Sequence, residues 1–584
     1  MTRTDSIVVG TLVALLATVT GLIAATGLEP ATAEPTPRPI PFVPSTPRPY
    51  REGVLGRPVS INPFATRSQA DRDLVALVFS GLVRNGPDGT LVPDLAERWT
   101  IDSAGRVWTF HLRDDGAWHD GTPVTAHDVA YTIATLQDPS YEGPGGASWD
   151  GVEVTVSGAR TVSFTLVDPL GGFLQAATQA IAPAHLLETV PVDALRDDPF
   201  GRRPVGSGPF ELVSLDDDLA VLAPAAGVDR EAAEASDALR SAEPPATDSL
   251  TTPRPTVRPG HLRPYLAGIE FRYADDPAEL VERYRAGELD AVSGLPPALA
   301  ADLATGTDSR LLRYPTTTLT VVVLDLRPAH VEFRDARVRA GLLRGIDRHG
   351  LVDDVFAGVA TRATIPIPPT SPWYDPASAD TAPGDYDRRA ALSALKTAGW
   401  TRVDGRWRLP KAKKPLAFEL ISPDKASNPT AFATAAAIAE DWTRLGLAVT
   451  HVPLTPAVFA GERLARGEFA AAVVDITLGL DPDLYPLLAS SQTLTGGSNV
   501  AGVQDVALDP LLVAARAPGT EEARRTAYVA LQAQLAKGTY VLPIAFADAP
   551  IVVRDSVSGP VVRGLADRAD RFWDVLTWRL ADDR

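Results

Sequence analysis

The chain of 584 residues contains no cysteine. This absence excludes disulfides, thiolate metal sites, thiol nucleophiles and the cysteine-linked lipid anchor of bacterial lipoproteins. Basic residues are outnumbered, because 55 Lys and Arg stand against 73 Asp and Glu, for a formal net charge of −18. Nucleic-acid binding requires basic side chains that neutralise phosphates, so we expect no nucleic-acid partner.

An uncharged run long enough to cross a bilayer extends from Ile7 to Leu28, and Ala31-Thr32-Ala33 offers a small-residue cleavage site. Residues 1–33 are therefore predicted to be a cleaved signal peptide or a membrane anchor, and both alternatives stay open. Residues 34–52 are rich in proline and predict an extended linker. We expect an extracytoplasmic protein in the periplasm or at the cell surface, secreted or N-terminally anchored.

The remaining chain is too long for one hydrophobic core, so two or more lobes are expected. Trp108, Phe110 and Leu112 alternate with polar residues, which predicts a half-buried strand. Thr125 and Asp128 form a helix start signal. Strands and helices mix without strict alternation, which predicts a mixed α/β fold. Residues 216–264 have no aromatic residue and clustered acids, and predict a disordered surface insertion.

The segment from Leu91 to Asp138 combines an amphipathic start, an alternating strand, a turn at His119-Asp120-Gly121 and a capped helix. It resembles the family 5 extracellular solute-binding proteins, which include oligopeptide- and dipeptide-binding proteins. Further similar segments follow in the family's order: 204–210, 333–358, 386–400, 481–485, 499–512 and 540–546. The resemblance implies a periplasmic-binding-protein type II fold, with a ligand cleft between two α/β lobes and an extra domain inserted in the first.

On this resemblance, lobe I is predicted to comprise residues 53–85, 204–318 and 541–584. Domain II, the inserted domain, is predicted to comprise residues 86–203, and lobe III residues 319–540. Hinge regions are expected near 205–210 and 540–544.

The family implies ligand binding for transport, without catalysis. The chain is expected to be the substrate-binding component of an ABC importer, which captures an oligopeptide, a peptide-like or another small solute by lobe closure and delivers it to a membrane permease. A monomer without a cofactor is expected. The alternatives are a membrane-tethered ligand receptor for signalling on the same fold and a secreted hydrolase.

Neither a metal site nor a catalytic site is predicted. His111, His119 and His127 are spaced by eight residues, but they fall on a strand, in a turn and in a helix, so nothing in this spacing brings them together on one ion. The sequence Gly206-Ser207-Gly208 lacks the G-x-S-x-G spacing of a nucleophile elbow and has no paired histidine nearby.

Candidate ligand-binding residues come from the resemblance, because the family's cleft is lined by the region around Asp475 and Asp481. The alternative for Asp481 and Asp483 is that they cap a helix starting at Leu484. Aromatic residues could form pocket walls or belong to the core. The full set of candidates is Phe79, Asp475, Thr477, Leu478, Asp481, Tyr485 and Asn499.

One position departs from the family. Members that bind free peptides carry an aspartate, which pairs with the peptide α-amino group, where this chain has Leu478. A buried ammonium without a counter-charge is costly. Either Asp475 or Asp481 therefore supplies the counter-charge, or the ligand is not a free peptide.

Overall fold

The computed structural model describes residues 48–86, 90–225, 264–493 and 497–581. The predicted signal peptide or anchor, residues 1–33, lies outside this range. Within the described part of the chain, no helix is long and apolar enough to cross a membrane.

The strands are β1 Tyr50–Leu55, β2 Val83–Asn85, β3 Leu91–Pro93, β4 Ala96–Ile101, β5 Val107–Leu112, β6 Glu153–Val156, β7 Thr161–Thr165, β8 Phe210–Leu215, β9 Leu219–Pro224, β10 Ile269–Ala274, β11 Ala291–Ser293, β12 Ser309–Leu324, β13 Ala360–Arg362, β14 Thr401–Val403, β15 Arg406–Arg408, β16 Ala417–Pro423, β17 Ala448–Leu454, β18 Ala471–Thr477, β19 Leu542–Arg554, β20 Val557–Ser558 and β21 Arg579–Leu580. The α-helices are α1 Gln69–Val78, α2 Ala126–Leu136, α3 Phe173–Ala176, α4 Ala184–Leu187, α5 Pro277–Arg285, α6 Pro297–Leu303, α7 Ala336–Arg344, α8 Arg348–Asp354, α9 Pro376–Ala379, α10 Arg388–Thr397, α11 Pro429–Arg444, α12 Tyr485–Leu488, α13 Asp509–Arg516 and α14 Glu521–Gly538.

One large sheet runs through both lobes. Its strand order is β17-β16-β18-β12-β19-β11-β1-β10-β9-β8, and β13 is attached to β19. In lobe III, β16 lies parallel to β17 and β18. In lobe I, β1 lies parallel to β10 and β11. Two separate hydrophobic clusters, one containing Leu342 and Trp442 and the other containing Leu484 and Tyr528, form the core of lobe III.

The two lobes are connected by the long antiparallel strands β12 and β19. Residues 309–315 of β12 pair with 548–554 of β19, whereas Leu319 to Val322 pair with Phe546 to Leu542 after a shift in register. The two strands therefore pass from one lobe to the other at residues 316–318 of β12 and at Ala547 of β19. We call this place the crossing of β12 and β19. The segment 540–544, where a hinge was expected, lies on the lobe III side of this crossing.

The inserted domain is built on a four-stranded sheet in the order β4-β5-β7-β6. Trp108, Phe110 and Leu112 are all buried, as their alternation predicts. The predicted start of α2 is also confirmed, because Thr125 N donates to Asp128 Oδ2 at 2.8 Å.

Two segments predicted to lack regular structure contain strands. β1 begins at Tyr50, inside the predicted linker 34–52, and lies between β10 and β11. β9 lies inside the predicted disordered insertion 216–264 and pairs with β8 and β10, with Ala220 and Leu222 buried. The low average hydrophobicity of the long window hid the short alternating run of β9. The rest of that prediction, residues 226–263, lies outside the described residues.

Candidate functional site

The carboxyl ends of β16, β17 and β18 lie beside the crossing of β12 and β19, at the edge of lobe III where ligands bind in open α/β sheets. Asp475 and Thr477 stand at the end of β18, opposite Thr320 and Thr318 of β12. Asn428 caps α11, the helix that follows β16. We call these five side chains the cleft edge.

Asp475 is the exposed acid of the cleft edge. Thr320 Oγ1 donates a hydrogen bond to its Oδ1 at 2.6 Å, and Asn428 Nδ2 donates to its Oδ2 at 2.8 Å. Both donors are neutral, so these contacts orient the carboxylate without neutralising its charge. An oriented, solvent-facing carboxylate can accept further hydrogen bonds from a ligand.

Backbone contacts attach the end of β18 to the crossing. Leu478 N donates to Thr317 O at 3.2 Å, and Gly479 N donates to Thr317 Oγ1 at 3.1 Å. The hydroxyl oxygens of Thr318 and Thr477 lie 3.2 Å apart. The side chain of Leu478 packs against the lobe III core and adds no polar group to the cleft edge.

Asp481 has protein partners on both carboxylate oxygens. Arg524 Nη1 and Nη2 donate to Oδ2 and Oδ1 at 2.8 Å each, and Tyr528 Oη donates to Oδ1 at 3.0 Å. The Arg524 guanidinium also lies 4.4 Å above the Trp373 ring. These partners occupy Asp481 at the surface of lobe III, where a Cβ added at Gly172 of domain II would lie 3.5 Å from Asp481 Oδ2. A direct contact of Asp481 with the ligand stays a prediction.

Asp483 and Tyr485 belong to a neighbouring arrangement. Asp483 Oδ1 accepts from Tyr485 N at 3.0 Å, so Asp483 binds the first turn of α12, as the alternative interpretation of the sequence proposed. Burial raises the pKa of Asp483, and the charge of Arg516, 3.1 Å away, opposes this rise. The Tyr485 ring lies 4.6 Å from the Arg516 guanidinium, so it packs under that side chain.

Asn499 is fully buried, and both the nitrogen and the oxygen of its amide are hydrogen-bonded. Its Nδ2 donates to Ala489 O at 3.0 Å and to Val503 O at 2.9 Å, and its Oδ1 accepts from Val503 N at 3.0 Å. These bonds hold the loops around Asn499 together, and its contact with a ligand stays a prediction.

Phe79 lies in a different place from the cleft edge. It lines a cavity of about 840 Å³ between lobe I and domain II, whose walls also carry Asp94 and Arg113. As far as the structure describes the chain, no lobe III residue lines this cavity. Phe79 is buried and packs against Phe200, with 6.2 Å between ring centroids. It therefore shares no pocket with Asp475.

The cavity wall also carries Asp570, which yields a pH prediction. Burial raises the pKa of Asp570 from 3.8 to about 6, against the lowering effects of its hydrogen bond from Asp567 N and the charge of Arg563. The folded state thus binds this proton more tightly than the unfolded state, so the contribution of Asp570 to stability rises as pH falls through about 6. Between about pH 7 and pH 5 the gain is about 1 kcal/mol.

Asp570→Asn removes this titration. Denaturant unfolding at both pH values should therefore show the variant more stable than the wild type at about pH 7, with a difference that shrinks by about 1 kcal/mol at about pH 5. If the difference in the free energy of unfolding between the variant and the wild type does not change with pH, the raised pKa of Asp570 is contradicted.

The three histidines considered in the sequence analysis lie apart. His111 is on β5, His119 is in the turn before α2, and His127 is in the first turn of α2. His119 Nε2 forms a hydrogen bond with Gly208 O at 3.0 Å, and burial lowers the pKa of this histidine. In the part of the chain that the structure describes, no group of three or more His, Asp or Glu side chains could hold a metal ion.

Sequence reasoning did not identify Thr320, Asn428, Arg516 or Arg524 as site residues. Asn428 followed by a proline is a helix start signal and could have placed its side chain at the sheet edge. Arg516 and Arg524 approach their aspartates only through the packing of α13 and α14, which no local pattern indicates.

The comparisons with known proteins agree with this architecture. Residues 90–499 match the family model described as bacterial extracellular solute-binding proteins, family 5 Middle. The oligopeptide-binding protein AppA of Bacillus subtilis (strain 168) is 25% identical over 466 residues, which cover 79% of this chain and 79% of that protein. Protein XP55 of Streptomyces lividans is 28% identical over 493 residues, which cover 83% of this chain and 80% of that protein.

Among solved structures, that of Bacillus subtilis AppA in complex with a nonapeptide is similar with a TM-score of 0.66 at 20% identity, covering 92% of this chain and 100% of that one. This likeness confirms the predicted two-lobed, mixed α/β fold.

Proposed function

The chain belongs to the bacterial extracellular solute-binding proteins of family 5, and we propose that it is the extracytoplasmic substrate-binding component of an ABC importer. It captures a small solute, an oligopeptide or a peptide-like compound, between its two lobes and delivers it to permease subunits in the membrane. It acts as a monomer outside the cytoplasmic membrane and catalyses no reaction. The relative named as an oligopeptide-binding protein supports this ligand class. The domain limits given above stay predictions.

The observation that carries the proposal is the position of the cleft edge at the crossing of β12 and β19. These strands are the hinge of the proposed movement, because the register of β12 shifts between Pro315 and Leu319. A ligand bound at Asp475 and Thr477 therefore lies where a small rotation about the crossing changes the distance between the lobes.

Asp475 is the proposed polar anchor for the ligand. Asp481, the other acid considered for this role, is neutralised by Arg524 in a two-bond ion pair. The Asp475 carboxylate meets neutral donors and faces solvent, so it keeps a negative charge for an ammonium or another N–H donor of the ligand. Family members that bind free peptides use an aspartate at the position of Leu478. In this chain Asp475 is proposed to take the role of that aspartate.

The test starts from the compound that co-purifies with the protein, identified by mass spectrometry and titrated back calorimetrically. Asp475→Asn should weaken its binding about tenfold to a hundredfold, because a hydrogen bond to a charged group contributes about 1.5–3 kcal/mol. The matched variant Asp481→Asn should change affinity less than about threefold and should instead lower the melting midpoint. Equal affinity losses in both variants would place the ligand against Asp481 and overturn the assignment of Asp475.

A further inference from the structure

One residue at a hairpin tip of domain II is buried against lobe III. Gly105 lies in the turn between β4 and β5, where its neighbours Asp102 to Ala104 and Arg106 are exposed, yet Gly105 itself is buried. A Cβ added at Gly105 would lie 3.3 Å from the Cβ of Pro518, in the loop between α13 and α14. Pro518 thus covers the tip of an otherwise exposed turn.

A second loop of domain II meets the same lobe III segment. Gly171 N donates to Arg516 O at 2.8 Å and so satisfies a carbonyl at the end of α13. A Cβ added at Gly171 would lie 3.0 Å from both Ala517 O and Arg524 Cζ. The close approach therefore leaves little room for a side chain at this position.

Ion pairs and a ring contact within lobe III hold the lobe III side of this contact in place. Arg524 is held by Asp481 and by the Trp373 ring, and Arg516 is paired with Asp483. Along the chain, the strands β8 to β18 separate domain II from this segment. The contact therefore joins two parts that are far apart along the chain.

We propose that Gly105, Gly171 and Pro518 form a closing contact that sets the balance between the open and closed lobes. The inference rests on the proposed function, because it assigns the closure step of that binding site. None of these three residues belongs to the cleft edge, so in this proposal they tune closure without serving as ligand contacts. Substitutions that prevent the contact shift the protein towards the open form, whether or not a ligand is present.

The absence of native cysteine gives a direct test. The Cβ separation at Gly105 and Pro518 is close to the about 3.5–4.5 Å that disulfides require. In the full chain, Gly105→Cys with Pro518→Cys should therefore cross-link under mild oxidation in most molecules. The matched control is Gly121→Cys with Pro518→Cys, since Gly121 shares the positive φ of Gly105, at 87° against 69°, but has no atom within 4 Å of an added Cβ. The control should cross-link at least about tenfold more slowly.

The second arm adds Gly171→Val to the cross-linking pair. It should slow disulfide formation about tenfold and enlarge the radius of gyration measured by X-ray scattering. Gly384→Val, at a glycine with no neighbour within 4 Å of an added Cβ, should do neither. Melting curves verify that each variant is folded. Cross-linking no faster than the Gly121 control, or unaffected by Gly171→Val, overturns the closing contact. Neither result affects ligand capture at the cleft edge, which the calorimetry tests separately.

Discussion

Replacing Arg571 with methionine is expected to lower the free energy of unfolding by about 3–5 kcal/mol. Arg571 is 3% exposed, and its guanidinium pairs with Asp73 at 2.6 Å and with Glu52 at 2.9 Å. Tyr50 Oη also donates to Glu52 at 3.0 Å. Burial raises the pKa of Asp73, and the charge of Arg571 opposes that rise. Without the cation, two buried carboxylates stand together with no counter-charge.

Urea unfolding followed by tryptophan fluorescence measures this loss. The neighbouring Arg568→Met is the matched control, since Arg568 is exposed and should change stability by less than about 0.5 kcal/mol. Adding Glu52→Gln and Asp73→Asn to Arg571→Met should recover part of the loss, because it removes the unpaired charges. A loss below about 1 kcal/mol for Arg571→Met would contradict the view that this ion cluster joins β1, α1 and the C-terminal segment.

Replacing Arg524 with methionine should lower the free energy of unfolding by about 2–3 kcal/mol, because the change removes two charge-assisted hydrogen bonds to Asp481 and the stacking on Trp373. Arg525→Met is the adjacent control, since Arg525 is exposed and forms only an i,i+4 pair with Glu521 among its ion pairs in the described residues. The double variant with Asp481→Asn should be less damaging than the sum of the two single variants, as expected for partners. Additive losses would show that Asp481 and Arg524 act independently.

Much of the fold was predictable because it depends on local patterns. The alternation of Trp108, Phe110 and Leu112 places β5, and Thr125 with Asp128 starts α2. The wrong predictions for the segments of β1 and β9 have one physical cause. β1 and β9 are short strands inside segments whose average composition is unfavourable, and they are held in place by β10, a long-range partner that the local sequence does not reveal.

The site was less predictable, because its residues come from distant segments. The resemblance led to the end of β18, and the structure brings Asp475 and Thr477 together there with residues of β12 and α11. It does not bring Phe79 or Asn499 to them. The sequence alone cannot distinguish an exposed carboxylate such as Asp475 from one paired with an arginine, such as Asp481. That difference depends on how the helices pack.

The proposed binding site is the cleft edge beside the strands β12 and β19. Hydrogen–deuterium exchange, compared between the protein with its co-purified compound and the stripped protein, locates the bound compound. We expect the compound to slow exchange in peptides covering 315–320 and 474–479. Slowed exchange confined to peptides lining the cavity between lobe I and domain II, such as 113–121 and 175–180, would contradict it.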